Sequence, residues 1–105
     1  MYRATTPTHT FTLPIDTSTC KEILITYKQQ KVQLDKHYQD NLLPSGMTLD
    51  GDKVIIKLTQ AETLMFSRDN PVYTQVRVLT TDDSAYASQR FKVSVNDVLN
   101  EDILQ

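Results

Sequence analysis

Apolar and polar residues alternate along most of this chain with the two-residue period of β-strands. The first such stretch is Thr8–Leu13, where His9, Phe11 and Leu13 alternate with Thr8, Thr10 and Thr12. Pro14 ends it, because proline has no N–H to give to a ladder. Ile15–Thr19 reads as a connection in which Asp16 and Ser18 offer the backbone local hydrogen bonds. Glu22–Gln29 then places Ile23, Ile25 and Tyr27 on one face, with Leu24 the apolar exception on the other. After a weak turn at Gln29-Gln30, the alternation resumes over Lys31–Tyr38 through Val32, Leu34 and, less cleanly, Lys36 and Tyr38. The two segments predict a hairpin with one solvated face.

Between Gln39 and Gly46 the period is lost, and Leu42-Leu43-Pro44-Ser45-Gly46 reads as a bend that buries one leucine. Met47–Leu49 and Val54–Leu58 flank Asp50-Gly51-Asp52, a short-range hairpin signal, with Val54, Ile56 and Leu58 inward. A single helix is predicted. Thr59-Gln60-Ala61-Glu62 fits a capping box, in which the Thr59 hydroxyl and the Glu62 carboxylate each satisfy the other's amide. Ala61, Leu64 and Met65 would lay that turn on the core, and Asn70-Pro71 closes it. Two long strands follow, Val72–Thr80 (Val72, Val76, Val78) and Ala85–Val95 (Phe91, Val93, Val95), joined by the polar turn Thr81–Ser84. Asn96–Gln105 is acidic and loosely apolar, either a short helix or a frayed tail.

The elements predict an all-β fold: an antiparallel β-sandwich, Ig-like, of six to seven strands with one short helical turn near residues 60–66. Composition agrees, since 14 Thr, 8 Val and 6 Ile make 28 of 105 residues β-branched. With only 2 Gly, a tightly coiled barrel that needs glycine kinks is disfavoured. The length of 105 residues accommodates one domain over residues 1–105, with residues 1–7 as an extended N-terminal arm and 96–105 as a C-terminal tail. Apolar runs stay short, so no segment is expected to span a bilayer. Met1–Pro14 is polar and threonine-rich, unlike a secretory signal.

Chemistry-bearing residues are sparse. Cys20 is the single cysteine, which excludes an internal disulfide and a cysteine zinc cluster and reads as a small buried thiol. His9 and His37 read as half-exposed strand residues, with no glycine-rich elbow to present a nucleophile beside either. The acidic pairs Asp50/Asp52 and Asp82/Asp83 lie where turns favour Asp, without the further oxygen ligands of a calcium loop. Tyr27, Lys28, Lys31, Lys36, His37 and Tyr38 interleave base and ring as a single-strand nucleic-acid platform would. The chain as a whole carries a net charge of -2, however, and the hairpin reads as a solvated face whose lysines discourage edge pairing. No catalytic residue, cofactor site, metal site, nucleic-acid partner or membrane contact is expected. What remains is protein binding through surfaces and edges. Arg3-Ala4-Thr5-Thr6-Pro7-Thr8 is a polar segment in which Pro7 biases Thr6 towards extended backbone, so the arm is expected to leave the domain as a strand. An ordered first strand of the same domain is the competing expectation.

The opening, from Arg3-Ala4-Thr5-Thr6-Pro7-Thr8 through Leu13-Pro14, resembles that of small proteins encoded by phages and prophages of Gram-positive bacteria, which typically begin Arg-Gly-Thr-Thr-Pro-Thr. The similarity continues through Ile25-Thr26-Tyr27, Leu58–Thr63 and Val76–Thr81, and extends distantly to the N-terminal β-sandwich of phage baseplate upper proteins. Ala4 stands where that family has Gly, so nothing in the sequence demands a positive φ there. The resemblance implies a non-enzymatic structural or assembly protein of the tail, baseplate or head-fibre region. It would be made in the bacterial cytoplasm, bind other phage structural proteins, oligomerise by symmetry and become part of the particle. Arg3, Thr5, Thr6 and Pro7 would form its protein-docking arm. The alternative is a carbohydrate-binding-like sandwich with Tyr38, Tyr73 and Tyr86 outward.

Overall fold

The computed structural model describes residues 1–105. Its elements are β1 (Thr8–Thr12), β2 (Cys20–Gln29), β3 (Val32–Gln39), β4 (Met47–Asp50), β5 (Lys53–Lys57), α1 (Gln60–Thr63), β6 (Val72–Thr80), β7 (Ala85–Ala87) and β8 (Phe91–Val93). A 3-10 turn, Thr17–Thr19, precedes β2, and the Asp16 carboxylate caps it by accepting from the Ser18 amide at 2.9 Å. Two antiparallel sheets result. The small sheet has the order β1-β5-β4; the large one runs β3-β2-β6, with β7 and β8 sharing the far side of β6. The two antiparallel sheets face each other as an all-β sandwich, in which β1 pairs with β5. No helix is long and apolar enough to cross a membrane.

One core lies between the sheets. Val54 and Ile56 face it from the small sheet, and Ile23, Ile25, Tyr27, Val72, Val76 and Val78 from the large one. The strand parity read from the sequence therefore holds along β2, β5 and β6. Parity shifts at one point, where an extra residue between Cys20 and Glu22 bulges β2 against β6. The bulge lets both Cys20 and Ile23 point inward. The β4–β5 hairpin is a two-residue turn with Asp50 opposite Lys53, and Gly51 takes φ +60° at its first central position.

Three expectations need correction. First, the strand predicted over Ala85–Val95 is two strands, which brings the number to eight. Their registers against β6 differ by one residue, Val78 opposite Tyr86 but Thr74 opposite Phe91. At the break the Ser88 amide donates to Val76 O at 2.8 Å, and the Ser88 hydroxyl accepts from the Val76 amide at 3.0 Å, replacing a ladder acceptor. Second, neither Leu42 nor Leu43 is buried. Asp40 and Asn41 take φ of +55° and +60°, and the Leu42 amide closes on Gln39 O, so this tight turn directs its leucines to solvent. Third, α1 has the expected capping box, Thr59 Oγ1 accepting from the Glu62 amide at 3.1 Å and Glu62 Oε1 from the Thr59 amide at 2.9 Å. The single turn buries Thr63 and the following Phe66, however, while Ala61 and Met65 stay exposed. Thr63 is tolerated inside because its hydroxyl lies 2.9 Å from Gln60 O and 3.2 Å from Thr5 O. Of the two readings open for Asn96–Gln105, the helix does not form.

The N-terminal segment does not leave the domain. Tyr2 bridges Asn96 in parallel, the Asn96 amide donates to Met1 O at 2.8 Å, and the Arg3 amide donates to Asn96 O at 2.8 Å. Ala4 turns the chain at φ +58°, the left-handed conformation that the sequence did not demand of it. Such backbone costs an L-residue about 1 kcal/mol that glycine avoids. Ala4→Gly is therefore expected to raise stability by up to about 1 kcal/mol, or up to roughly 4 °C in Tm for a domain of this size. Thermal denaturation checks it, and a fall in Tm would show that the turn is held at no cost.

Candidate protein-binding groove

The two sheets differ in width, and the difference creates the main concavity. The large sheet extends one strand beyond the small one, so β7 and β8 project past β1. Residues opposite one another in adjacent strands share a face. Tyr86, opposite the buried Val78, and Phe91, opposite the buried Thr74, thus belong to the inner face of the large sheet. They remain 55% and 47% exposed because no strand of the small sheet lies over them. The uncovered area is the floor of a groove of about 630 Å³. Phe11 and Leu13 form its β1 wall, with Val76 and Val78 at its base and Tyr86 and Phe91 opposite. The Phe11 and Phe91 rings, 6.3 Å apart between centroids, span it at one point.

Along that groove β1 has an unpaired edge. The Leu58 amide donates to Pro7 O at 3.0 Å and the Leu13 amide to Asp52 O at 2.7 Å. In an antiparallel ladder such groups alternate sides, so His9 and Phe11 also turn their backbone towards β5. Thr8, Thr10 and Thr12 direct their N–H and C=O groups to the open side. Edge strands are commonly guarded by charged residues or proline. Thr8-His9-Thr10-Phe11-Thr12 carries no Lys, Arg, Asp, Glu or Pro. An extended segment laid beside β1 would pair with three threonine backbones and cover the exposed rings of the floor in the same step.

The residues expected to form a docking arm are instead bound to the domain itself. The Arg3 guanidinium donates to Glu101, lies 3.7 Å from Asp97, and donates to Leu64 O at 3.1 Å. Thr5 donates its amide to Thr63 Oγ1 at 3.3 Å and its hydroxyl to Tyr2 O at 2.6 Å. Pro7 supplies the carbonyl that starts the β1–β5 ladder. Thr6 alone of the four is exposed. Sequence reasoning missed the groove because it depends on which sheet is wider, a property of pairing. The part legible beforehand was the uncharged Thr/His/Phe alternation of β1.

A second constellation sits at the α1 end. Tyr27 Oη and His9 Nδ1 are 2.7 Å apart across the two sheets. Burial, with a smaller effect of the Glu62 charge, pushes the Tyr27 hydroxyl well above its ordinary value. Burial, assisted by the N-terminal ammonium, lowers that of His9. Both shifts favour the neutral forms, a protonated Tyr27 hydroxyl hydrogen-bonded to an uncharged imidazole. Beside them the Lys36 ammonium, on the inward side of β3 and 5% exposed, pairs with Glu62 at 2.5 Å. Burial pushes the Glu62 carboxyl up, but the Lys36 ammonium and the Thr59 amide outweigh it and hold the group below its ordinary value. Lys36 thus belongs to the interior, a correction to the solvated-face expectation for its hairpin. None of the four lines the groove; they tie α1 and the two sheets together.

The remaining sequence candidates have structural partners. His37 Nε2 is 2.8 Å from Glu22 on the exposed outer face of the hairpin. Asp82 holds the β6–β7 turn through Thr80 and Ser84, and hydrogen bonding from these keeps its carboxyl low. Asp83 pairs with Lys21. The Cys20 thiol is buried and its pKa is raised by that burial. Tyr38 turns inward and packs on the core, a correction to the outward orientation expected of it. Tyr73 lies 5.6 Å beneath the Arg90 guanidinium, and Tyr86 belongs to the groove. No protein-family model matches the chain, and no curated protein matches it in sequence.

Proposed function

We propose that this protein is a non-enzymatic assembly component that captures an extended polypeptide segment in the place of a missing fourth strand of its small sheet. One observation carries the reading: the unpaired, uncharged edge of β1 lies directly above an uncovered apolar face of the larger sheet. Main-chain pairing supplies affinity in such an arrangement and the floor supplies selectivity for apolar side chains. The resemblance of the opening residues to phage and prophage proteins favours the tail, baseplate or head-fibre region as the assembly, with other structural proteins of the particle as partners.

Thr10→Pro tests the mode of binding. Thr10 directs its N–H to the open side, so proline removes a donor that the fold does not use and is tolerated on an edge strand. The expected outcome is loss of partner binding by about tenfold or more with Tm lowered by only a few degrees. Unchanged binding would overturn strand addition. The assembly itself is tested by mass spectrometry of particles purified after induction of the encoding prophage. Peptides of this protein at a fixed ratio to capsid or tail proteins are expected, and their absence despite expression in the lysate would defeat the virion reading.

A further inference from the structure

Resting on the reading that the groove accepts one extended segment, we infer that its occupant is the C-terminal segment, Asp97–Gln105, of a second copy of this chain, so that copies join head to tail. Three observations converge on this occupant. The first concerns what fits. Symmetric pairing of two β1 edges would place each copy's projecting β7 and β8 in the space under the other's β1, where they would collide. The slot therefore takes a single strand with no sheet of its own beneath it.

The second concerns the segment. Asp97–Gln105 has no secondary structure and bears the two most exposed apolar side chains of the molecule, Leu99 at 110% and Leu104 at 77%, together with the exposed Ile103. Its attachments to its own domain run through side chains: Arg3 to Glu101 and Asp97, Arg68 to Asp97 at 3.3 Å, and the Gln60 side-chain amide paired with Leu104 N and O at 2.8 and 3.0 Å. Contacts of that kind are worth little and release easily. Beyond Asn96 the chain can reach about 30 Å when extended, against roughly 17 Å for a strand of five residues such as β1.

The third is charge. The tail carries Asp97, Glu101 and Asp102 and no Lys or Arg. The groove is lined without charge, so it sets no carboxylate against them. The tail does not occupy its own groove. It is fastened at the α1 end, beside Gln60, whereas the groove follows the other half of β1, from Thr10 towards Ile15. A donor at one end and an acceptor along the other half make a heterologous contact, which builds rings or filaments rather than a closed two-fold dimer.

Sedimentation velocity of the full chain from about 10 µM to 1 mM, a range that brackets moderate affinities, reads this directly. Mass-action growth beyond the dimer is expected for the wild type. The tail variant Leu99→Asp/Ile103→Asp and the groove variant Tyr86→Asp should each lose association by about tenfold or more. Mixed together they should recover a one-to-one complex that grows no further, since each retains one working half. Thr10→Pro, which alters no apolar contact, serves as a second groove variant should Tyr86→Asp unfold. A synthetic Asn96–Gln105 peptide added to the tail variant should protect the Thr10 and Thr12 amides from hydrogen exchange. A wild type that stays monomeric through this range, together with no protection by the peptide, overturns the inference. Protection of Thr10 and Thr12 by a partner's segment but not by the tail peptide overturns the self-assembly and leaves the groove reading standing.

Discussion

Glu62→Ala is expected to cost about 3 kcal/mol or more, while Lys36→Met on the other side of the same ion pair costs about 1 kcal/mol or less. The asymmetry follows from burial. The Lys36 side chain is 6% exposed and that of Glu62 18%, so removing the carboxylate strands an ammonium in the interior with nothing to compensate it. Replacing the lysine with methionine keeps the volume, removes the charge that must be desolvated, and leaves Glu62 the Thr59 amide and partial access to water. Glu62→Ala also deletes half of the capping box, which Glu62→Gln preserves. The expected order of stability is wild type close to Lys36→Met, then Glu62→Gln, then Glu62→Ala, measured by urea denaturation. Equal losses for Lys36→Met and Glu62→Ala would show that the pair acts through geometry and not through stranded charge.

The same cluster sets the acid side of the stability profile. Glu62 in the folded chain lies below its ordinary 4.5, so the unfolded chain binds more protons in the interval between the two. Its contribution is complete above about pH 4.5 and is lost as pH falls through the lowered value. His9 lies below its ordinary 6.5 because protonation puts a charge in a half-buried position, near the N-terminal ammonium. Its contribution is likewise complete above about pH 6.5 and fades as pH falls through its own lowered value. Stability should therefore decline in two stages on acidification. His9→Gln should remove the upper stage and Glu62→Gln the lower. A profile unchanged by either variant would show that these groups do not set it.

Much of this fold was legible because strand parity is a local property. Ile23, Ile25, Tyr27, Val54, Ile56, Val76 and Val78 all face the core as their alternation predicts, and the capping box formed from four adjacent residues. What escaped were features decided by pairing across the chain. The one-residue register difference that splits β7 from β8 depends on Ser88 meeting Val76, 12 residues away. Lys36 sits on the inward parity of its strand, but its charge argued for solvent until Glu62, from a separate element, was in place. The groove is the extreme case, since no residue of it is unusual. It exists because three strands face a sheet one strand wider. The first seven residues illustrate the converse. Pro7 and the threonines favour extended backbone locally, yet Met1 and Arg3 pair their backbone with Asn96 from the other end of the chain, and that bridge folds the arm back.

Gly46→Ala is expected to cost about 3 kcal/mol or more, and Gly51→Ala only about 1 kcal/mol, although both glycines have positive φ. At Gly51, φ +60°, a methyl group would meet nothing within 4 Å, so the penalty is that of left-handed backbone alone. At Gly46, φ +81°, the added Cβ would lie 2.3 Å from the Lys57 carbonyl oxygen. That atom is backbone at the end of β5 and cannot turn aside as a side chain would. The Lys57 amide also donates to Gly46 O at 2.8 Å, so relieving the clash breaks the bond that fixes the start of β4 against the end of β5. The damage should spread to the surface where the tail is fastened, because Gly46, Lys57, Gln60 and Ile103 line one concavity. Denaturant unfolding gives the stabilities, and hydrogen exchange at the Lys57 and Leu104 amides reads the local consequence. Both amides should exchange faster in Gly46→Ala than global destabilisation accounts for, whereas Gly51→Ala should leave them at the rate its own stability sets. Equal losses in the two variants would mean that positive φ, not the approach to Lys57, is what the glycine at position 46 serves.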